Sequence, residues 1–169
     1  MREAHPREWR RFCFGMHRLL AFAHESMHVC ACLISDGKIS YSDWEPPEKF
    51  MTMFQDRRDN QITSLEMLAI SFGVSTFEDR IAGRNVVIYS DNAGAEGATR
   101  KGLAACTFVT SGLHGRCKYV YDFSGAAKAA DHNALIHSIW MKLAELRCKA
   151  WVRRVPTKEN ISDDPSRCA

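Results

Sequence analysis

No apolar stretch in the chain approaches the roughly 18 residues a helix needs to cross a bilayer, so no membrane partner is expected. The first residues are charged and lack the apolar core of a secretory leader. No CxxC pair occurs among Cys13, Cys30, Cys32, Cys106, Cys117, Cys148 and Cys168, and seven thiols cannot all pair. That excludes a full disulfide framework and favours free thiols in a reducing compartment. Internal repeats and low-complexity tracts are absent as well, which sets aside solenoids and disordered tails. There is little net charge: at +3 the total makes no case for a nucleic-acid partner. What is present is ordinary globular material, 46% hydrophobic and 25% charged, which is too apolar for a disordered chain. An intracellular protein, cytoplasmic or nuclear, is the expectation.

The 169 residues suit one domain with a real core. Residues 1–18 are basic and aromatic without a clear period, and read as an N-terminal segment or the remnant of a linker. Arg2, Arg7, Arg10, Arg11 and Arg18 cluster there, and Arg153-Arg154 interrupt a late strand. Such clusters are more often solvated faces than binding sites. Leu19 to Ala23 reads as a first strand. Val29 to Ile34 and Ile39 to Trp44 read as a hairpin across the turn signal Asp36-Gly37. A helix is expected over Thr63 to Phe77, a buried strand over Asn85 to Ser90, and a short helix over the small residues Ala93 to Ala98. Residues 103–128 read poorly, with one possible strand at Lys118 to Tyr121. A helix from Asp131 to Cys148 and a last strand from Ala150 to Val155 follow. Hairpin strands, then helix–strand–helix–strand, predict an α/β fold with a mixed sheet and helices on its faces.

Two carboxylates stand out against this background. On the helix over Thr63 to Phe77, Ser64, Ser71, Ser75 and Glu78 share one polar stripe at helical spacing. Glu66 points away from it, into the arc of Leu65, Ala69, Ile70, Phe72 and Phe77. A carboxylate facing a core is costly unless donors or a cation meet it. It could instead be a Glu in the first turn, where negative charge is favourable. Asp91 ends the apolar run Asn85–Ser90, where open α/β sheets place their ligands. It could equally cap the helix that follows. An inward Glu and a strand-end Asp together suit a divalent metal.

The motifs in their order resemble the ribonuclease H domain of retroelement reverse transcriptases. They are three strands, a helix bearing Leu65-Glu66-Met67-Leu68-Ala69, a strand ending in Ser90-Asp91-Asn92, and the closing Asn160-Ile161-Ser162-Asp163-Asp164-Pro165-Ser166-Arg167. The resemblance covers about residues 19 to 167, leaving 19–169 as the domain and 103–128 as a poorly matched insert. It implies a five-stranded mixed sheet flanked by helices, cleavage of RNA in RNA–DNA hybrids, Mg²⁺ or Mn²⁺ as cofactor, and a reverse transcriptase domain in a parent polyprotein. It also implies Glu66, Asp91 and Asp163 as catalytic metal ligands, with Asp164 in reserve should the register slip. Asn92, Arg100, Lys101, Arg153, Arg154 and Arg167 are the expected nucleic-acid contacts.

The chain departs from the family near the end of the first strand. The family places an Asp there, and here His24-Glu25-Ser26 stand in its place. A neutral imidazole binds one metal through one nitrogen and cannot bridge two hard cations. Glu25 has the right chemistry but points to the opposite face of a regular strand unless a bulge re-aims it. Weak activity is therefore expected, and a non-catalytic nucleic-acid-binding or structural module is the alternative. A zinc site on His24, His28, Cys30 and Cys32, at even positions, is a minor reading, because buried strand cysteines commonly serve as small hydrophobes.

Overall fold

A computed structural model describes residues 16–23, 28–49, 61–109, 118–121 and 130–156. Its elements are β1 (Met16–Ala23), β2 (Val29–Ser35), β3 (Lys38–Trp44), α1 (Gln61–Thr76), α2 (Glu78–Ile81), β4 (Asn85–Ser90), α3 (Ala93–Ala105), β5 (Cys106–Val109), β6 (Lys118–Tyr121), α4 (Ala130–Glu145) and β7 (Lys149–Arg154). Five strands form one sheet in the order β3-β2-β1-β4-β7. β1 runs antiparallel to β2 and β2 antiparallel to β3, whereas β1–β4 and β4–β7 are parallel. This is the α/β architecture of a five-stranded mixed sheet with helices, and its order and strand directions are those of a ribonuclease H-like fold.

The hairpin turn falls where the sequence places it. Asp36 and Gly37 both take positive φ, 51° and 74°, as a two-residue turn between right-twisted strands requires. β1 begins at Met16, three residues before the expected start, and takes in His17 and Arg18, both buried. α3 runs to Ala105 instead of stopping near Ala98. The stretch 103–128 holds β5 and β6, a separate antiparallel hairpin that includes the anticipated strand.

One face of the sheet supplies Leu19, Ala21, Ala23, Val29, Ala31, Leu33, Val86, Ile88 and Val152 to the core. α1 lies over β1 and β2, α3 over β4 and β7, and α4 packs on both helices. α1 was expected to be amphipathic with a polar stripe through Ser64. Instead Ser64 through Ile70 are buried without a break, because the sheet lies on one side of the helix and α4 on the other. Among the described residues, no helix is long and apolar enough to span a membrane.

Candidate functional site

Glu66 sits in the middle of this buried run, with 1% of its surface exposed. Burying a carboxyl group there is costly unless its oxygens are met by donors. Both are met. The Ala23 N–H donates to Oε1 at 3.0 Å, and the Ser90 hydroxyl donates to Oε2 at 2.9 Å. Ala23 ends β1 and Ser90 ends β4, so one side chain from α1 ties together the carboxyl ends of two neighbouring parallel strands. Ser90 is held in turn, its Oγ accepting from the Asn92 N–H at 3.2 Å. Asn92 Oδ1 accepts from the Ala95 N–H at 3.0 Å and from the Thr63 hydroxyl at 3.4 Å. A continuous set of hydrogen bonds thus joins α1, β1, β4 and the start of α3.

Asp91 follows immediately, half-buried, at the carboxyl end of β4. Capping was one of its two possible roles, and the amide oxygen that caps α3 belongs to Asn92. The Asp91 carbonyl accepts from Arg154 Nε at 3.4 Å, and the Ser90 carbonyl accepts from the Val155 N–H at 3.1 Å. These bonds draw the end of β7 against the same point. From β1 the chain turns to β2 on one side, while β4 lies on the other. The strand order therefore reverses between β1 and β4, and in open α/β sheets ligands bind beyond the carboxyl ends of the strands at such a point. Glu66 lies at that end of the sheet, held between the ends of β1 and β4.

No family model and no curated protein matches the chain. The strand order and directions of the sheet alone carry the likeness to a ribonuclease H-like fold.

Of the residues singled out in the sequence, Glu66, Asp91, Asn92 and Arg154 are gathered at this end of the sheet. Arg153 is exposed on β7, and Lys101 is exposed on α3. Arg100, also on α3, pairs with Glu96 at 2.9 Å, so its charge is partly answered within the helix. His24, Glu25, Asp163, Asp164 and Arg167 lie outside the described residues. Glu66 and Asp91 carry the kind of hard oxygen donors that Mg²⁺ or Mn²⁺ prefers. Among the described residues, no group of three or more His, Cys, Asp or Glu side chains could hold a metal.

Ser90 and Thr63 join the site without a motif to mark them. Ser90 shares the sheet face of Val86 and Ile88, and a hydroxyl in that apolar register was the available signal. A Ser–His pair also emerged, with Ser64 Oγ 2.7 Å from His132 Nε2. Ser64 is 1% exposed and closed to substrate, so the pair joins α1 to α4 and is not a nucleophile. Cys30 and Cys32 of the zinc reading are buried free thiols in β2. Burial pushes the Cys32 thiol up to about 12, so it stays protonated and behaves as a small hydrophobe.

The way Glu66 is anchored sets a stability expectation. Glu66→Leu leaves a backbone N–H and a hydroxyl buried without an acceptor, at about 1–3 kcal/mol each, partly offset by removing a buried carboxyl group. A net loss of about 2 kcal/mol should appear in urea unfolding. Glu66→Gln keeps an acceptor for Ala23 and can donate to Ser90 Oγ, so its midpoint should lie close to that of the parent protein.

At the other end of β1, His17 is buried and its Nδ1 has no hydrogen-bond partner. Burial lowers its pKa, Asp36 opposes that shift, and Arg84 and Arg80 add to it. The folded state therefore resists protonation that the unfolded chain accepts. Stability is full above the unfolded value near 6.5 and falls as pH drops below it towards the lowered folded value. Urea midpoints at pH 7.5 and pH 5.5 should differ more for the parent protein than for His17→Leu.

Proposed function

We propose that this is a ribonuclease H-like domain of a retroelement polymerase, acting in a metal-dependent way on the RNA strand of RNA–DNA hybrids, with weak activity. The observation that carries the reading is the anchoring of Glu66 between the ends of β1 and β4, beside Asp91. A carboxylate in a core is hard to justify on packing grounds, and its donors fix its aim as outer hydrogen bonds fix a metal ligand. In this scheme Glu66 and Asp91 hold Mg²⁺ or Mn²⁺ together with Asp163 or Asp164, and His24 or Glu25 fills the remaining position. When bound, the metal would supply an activated water and stabilise the leaving oxygen. Ala23 and Ser90 keep Glu66 from rotating, and the Arg154 contact holds the end of β7 beside Asp91. Asn92, Arg100, Lys101, Arg153, Arg154 and Arg167 are the proposed nucleic-acid contacts.

A second reading is that the domain binds nucleic acid or supports its parent protein without catalysis. Its support is the same hydrogen-bond pair, since both Glu66 oxygens also serve as structural acceptors. The two readings divide on one experiment. A labelled RNA–DNA hybrid is incubated with the protein in millimolar MgCl₂, MnCl₂ or EDTA, and thermal melts are recorded in the same buffers. The catalytic reading expects slow, metal-dependent cleavage and a higher melting midpoint with MnCl₂, because a ligand bound only by the native state stabilises it. Identical midpoints with no cleavage would leave the non-catalytic reading standing.

A further inference from the structure

β7 lies at one edge of the sheet. Strand alternation turns Ala150 and Val152 to the core, and therefore Lys149, Trp151 and Arg153 to the other face. All three are exposed, and Trp151 leaves 44% of its surface open. A single exposed apolar residue is ordinary. An exposed indole with a cation two residues away on each side of an edge strand is a more specific arrangement. Neither Lys149 nor Arg153 forms an ion pair among the described residues. Arg84 and Arg147 are exposed near the amino end of the strand, where the Lys149 N–H donates to the Arg84 carbonyl at 3.1 Å. Arg154, whose Nε donates to the Asp91 carbonyl at the carboxyl end of β7, belongs by the same alternation to the opposite face.

We infer that this edge of β7 docks an unpaired nucleic-acid strand, with a base stacked on the Trp151 indole and phosphates neutralised by Lys149 and Arg153. The run of cations complements a phosphate backbone. The indole selects for an unpaired strand, because every base has a π-face but a duplex keeps most of those faces covered by neighbouring bases. The inference rests on the nucleic-acid reading of the domain, but not on metal binding or cleavage.

The test is fluorescence anisotropy of labelled oligo(dT) and oligo(U) with the whole chain at several salt concentrations. Trp151→Thr, which suits a strand, should weaken binding about 5- to 100-fold, and Trp151→Phe should recover most of that loss. Lys149→Gln with Arg153→Gln should lower the salt slope by about 1.4, the single-strand value for two phosphate contacts. Circular dichroism of each variant establishes that it is folded, and Trp151→Phe keeps the test open should the threonine variant fail. Parent-like binding by folded Trp151→Thr would overturn the inference, as would an absence of oligonucleotide binding by the parent protein. A dimer that Trp151→Thr dissolves, without oligonucleotide binding, would overturn it in favour of a second copy at this edge. Oligonucleotide binding that depends on Trp151, with hybrids left uncleaved, would uphold it while the catalytic reading fails.

Discussion

Substituting His24→Asp is expected to raise hybrid cleavage by two or more orders of magnitude. The Ala23 N–H is already committed to Glu66, so residue 24 is the next along the chain from the anchored end of β1. A carboxylate at that position could serve two cations at once, and a neutral imidazole cannot. A group that touches both ions acts on the nucleophile and on the leaving oxygen in the same transition state, which is why the gain is large. The measurement is a gel assay on labelled hybrid with Mg²⁺ or Mn²⁺, comparing the parent protein, His24→Asp, and His24→Asp combined with Glu66→Gln. The double variant should return to background, because the restored position cannot act without its neighbour. If the parent protein already cleaves well and Glu25→Gln abolishes that cleavage, Glu25 is the missing ligand. If every variant is folded and none cleaves, the domain is a non-catalytic relative.

The largest stability effect is expected far from any chemistry, at Gly102. A Cβ built there lies 2.9 Å from Trp140 Nε1 and also overlaps Ile136 Cγ2, inside normal contact distance. Neither neighbour can yield easily. Ile136 is fully buried, and the Trp140 indole N–H donates to the Thr99 carbonyl at 3.0 Å. Gly102→Ala should therefore destabilise by about 1–3 kcal/mol despite the better helix propensity of alanine, and Gly102→Val by more than about 3. Denaturant unfolding measures both. Ile136→Ala combined with Gly102→Ala should recover part of the loss, and the coupling energy of that cycle reports the contact itself. Simple additivity would mean that α3 and α4 part to accommodate the methyl group.

That glycine also explains why the sequence pattern predicts a shorter α3 than the one that forms. Gly94, Gly97 and Gly102 look like interruptions in a helical pattern, yet Gly102 is where the helix backbone closes on α4. Close approach between two elements cannot be seen in either segment alone. β4, by contrast, was legible to the residue, because its apolar run is bounded by Gly83 with φ of 70° and by Asp91-Asn92. The start of β1 was hidden because His17 and Arg18 look like surface residues and are buried in the strand. Ser64 was misplaced on a polar stripe for a similar reason, since its partner His132 is far along the chain. At the site, Glu66 was readable because a carboxylate in an apolar arc demands an explanation. Its donors were not, since one is a backbone N–H and the other a serine in a position that normally takes an apolar side chain.

β1 has one partner close by in the chain and one far away. β2 returns to it through a short connection, whereas β4 comes only after β3 and α1 have been passed. During synthesis on a ribosome, the three-strand meander β1–β2–β3 can therefore form early, while the other side of β1 still waits for its parallel neighbour. That side carries a row of unsatisfied amides and carbonyls on an apolar strand, the sort of template on which nascent chains join one another. The waiting period ends when β4 arrives. The strand that closes the exposed edge is also the one that carries the Ser90 hydroxyl to Glu66.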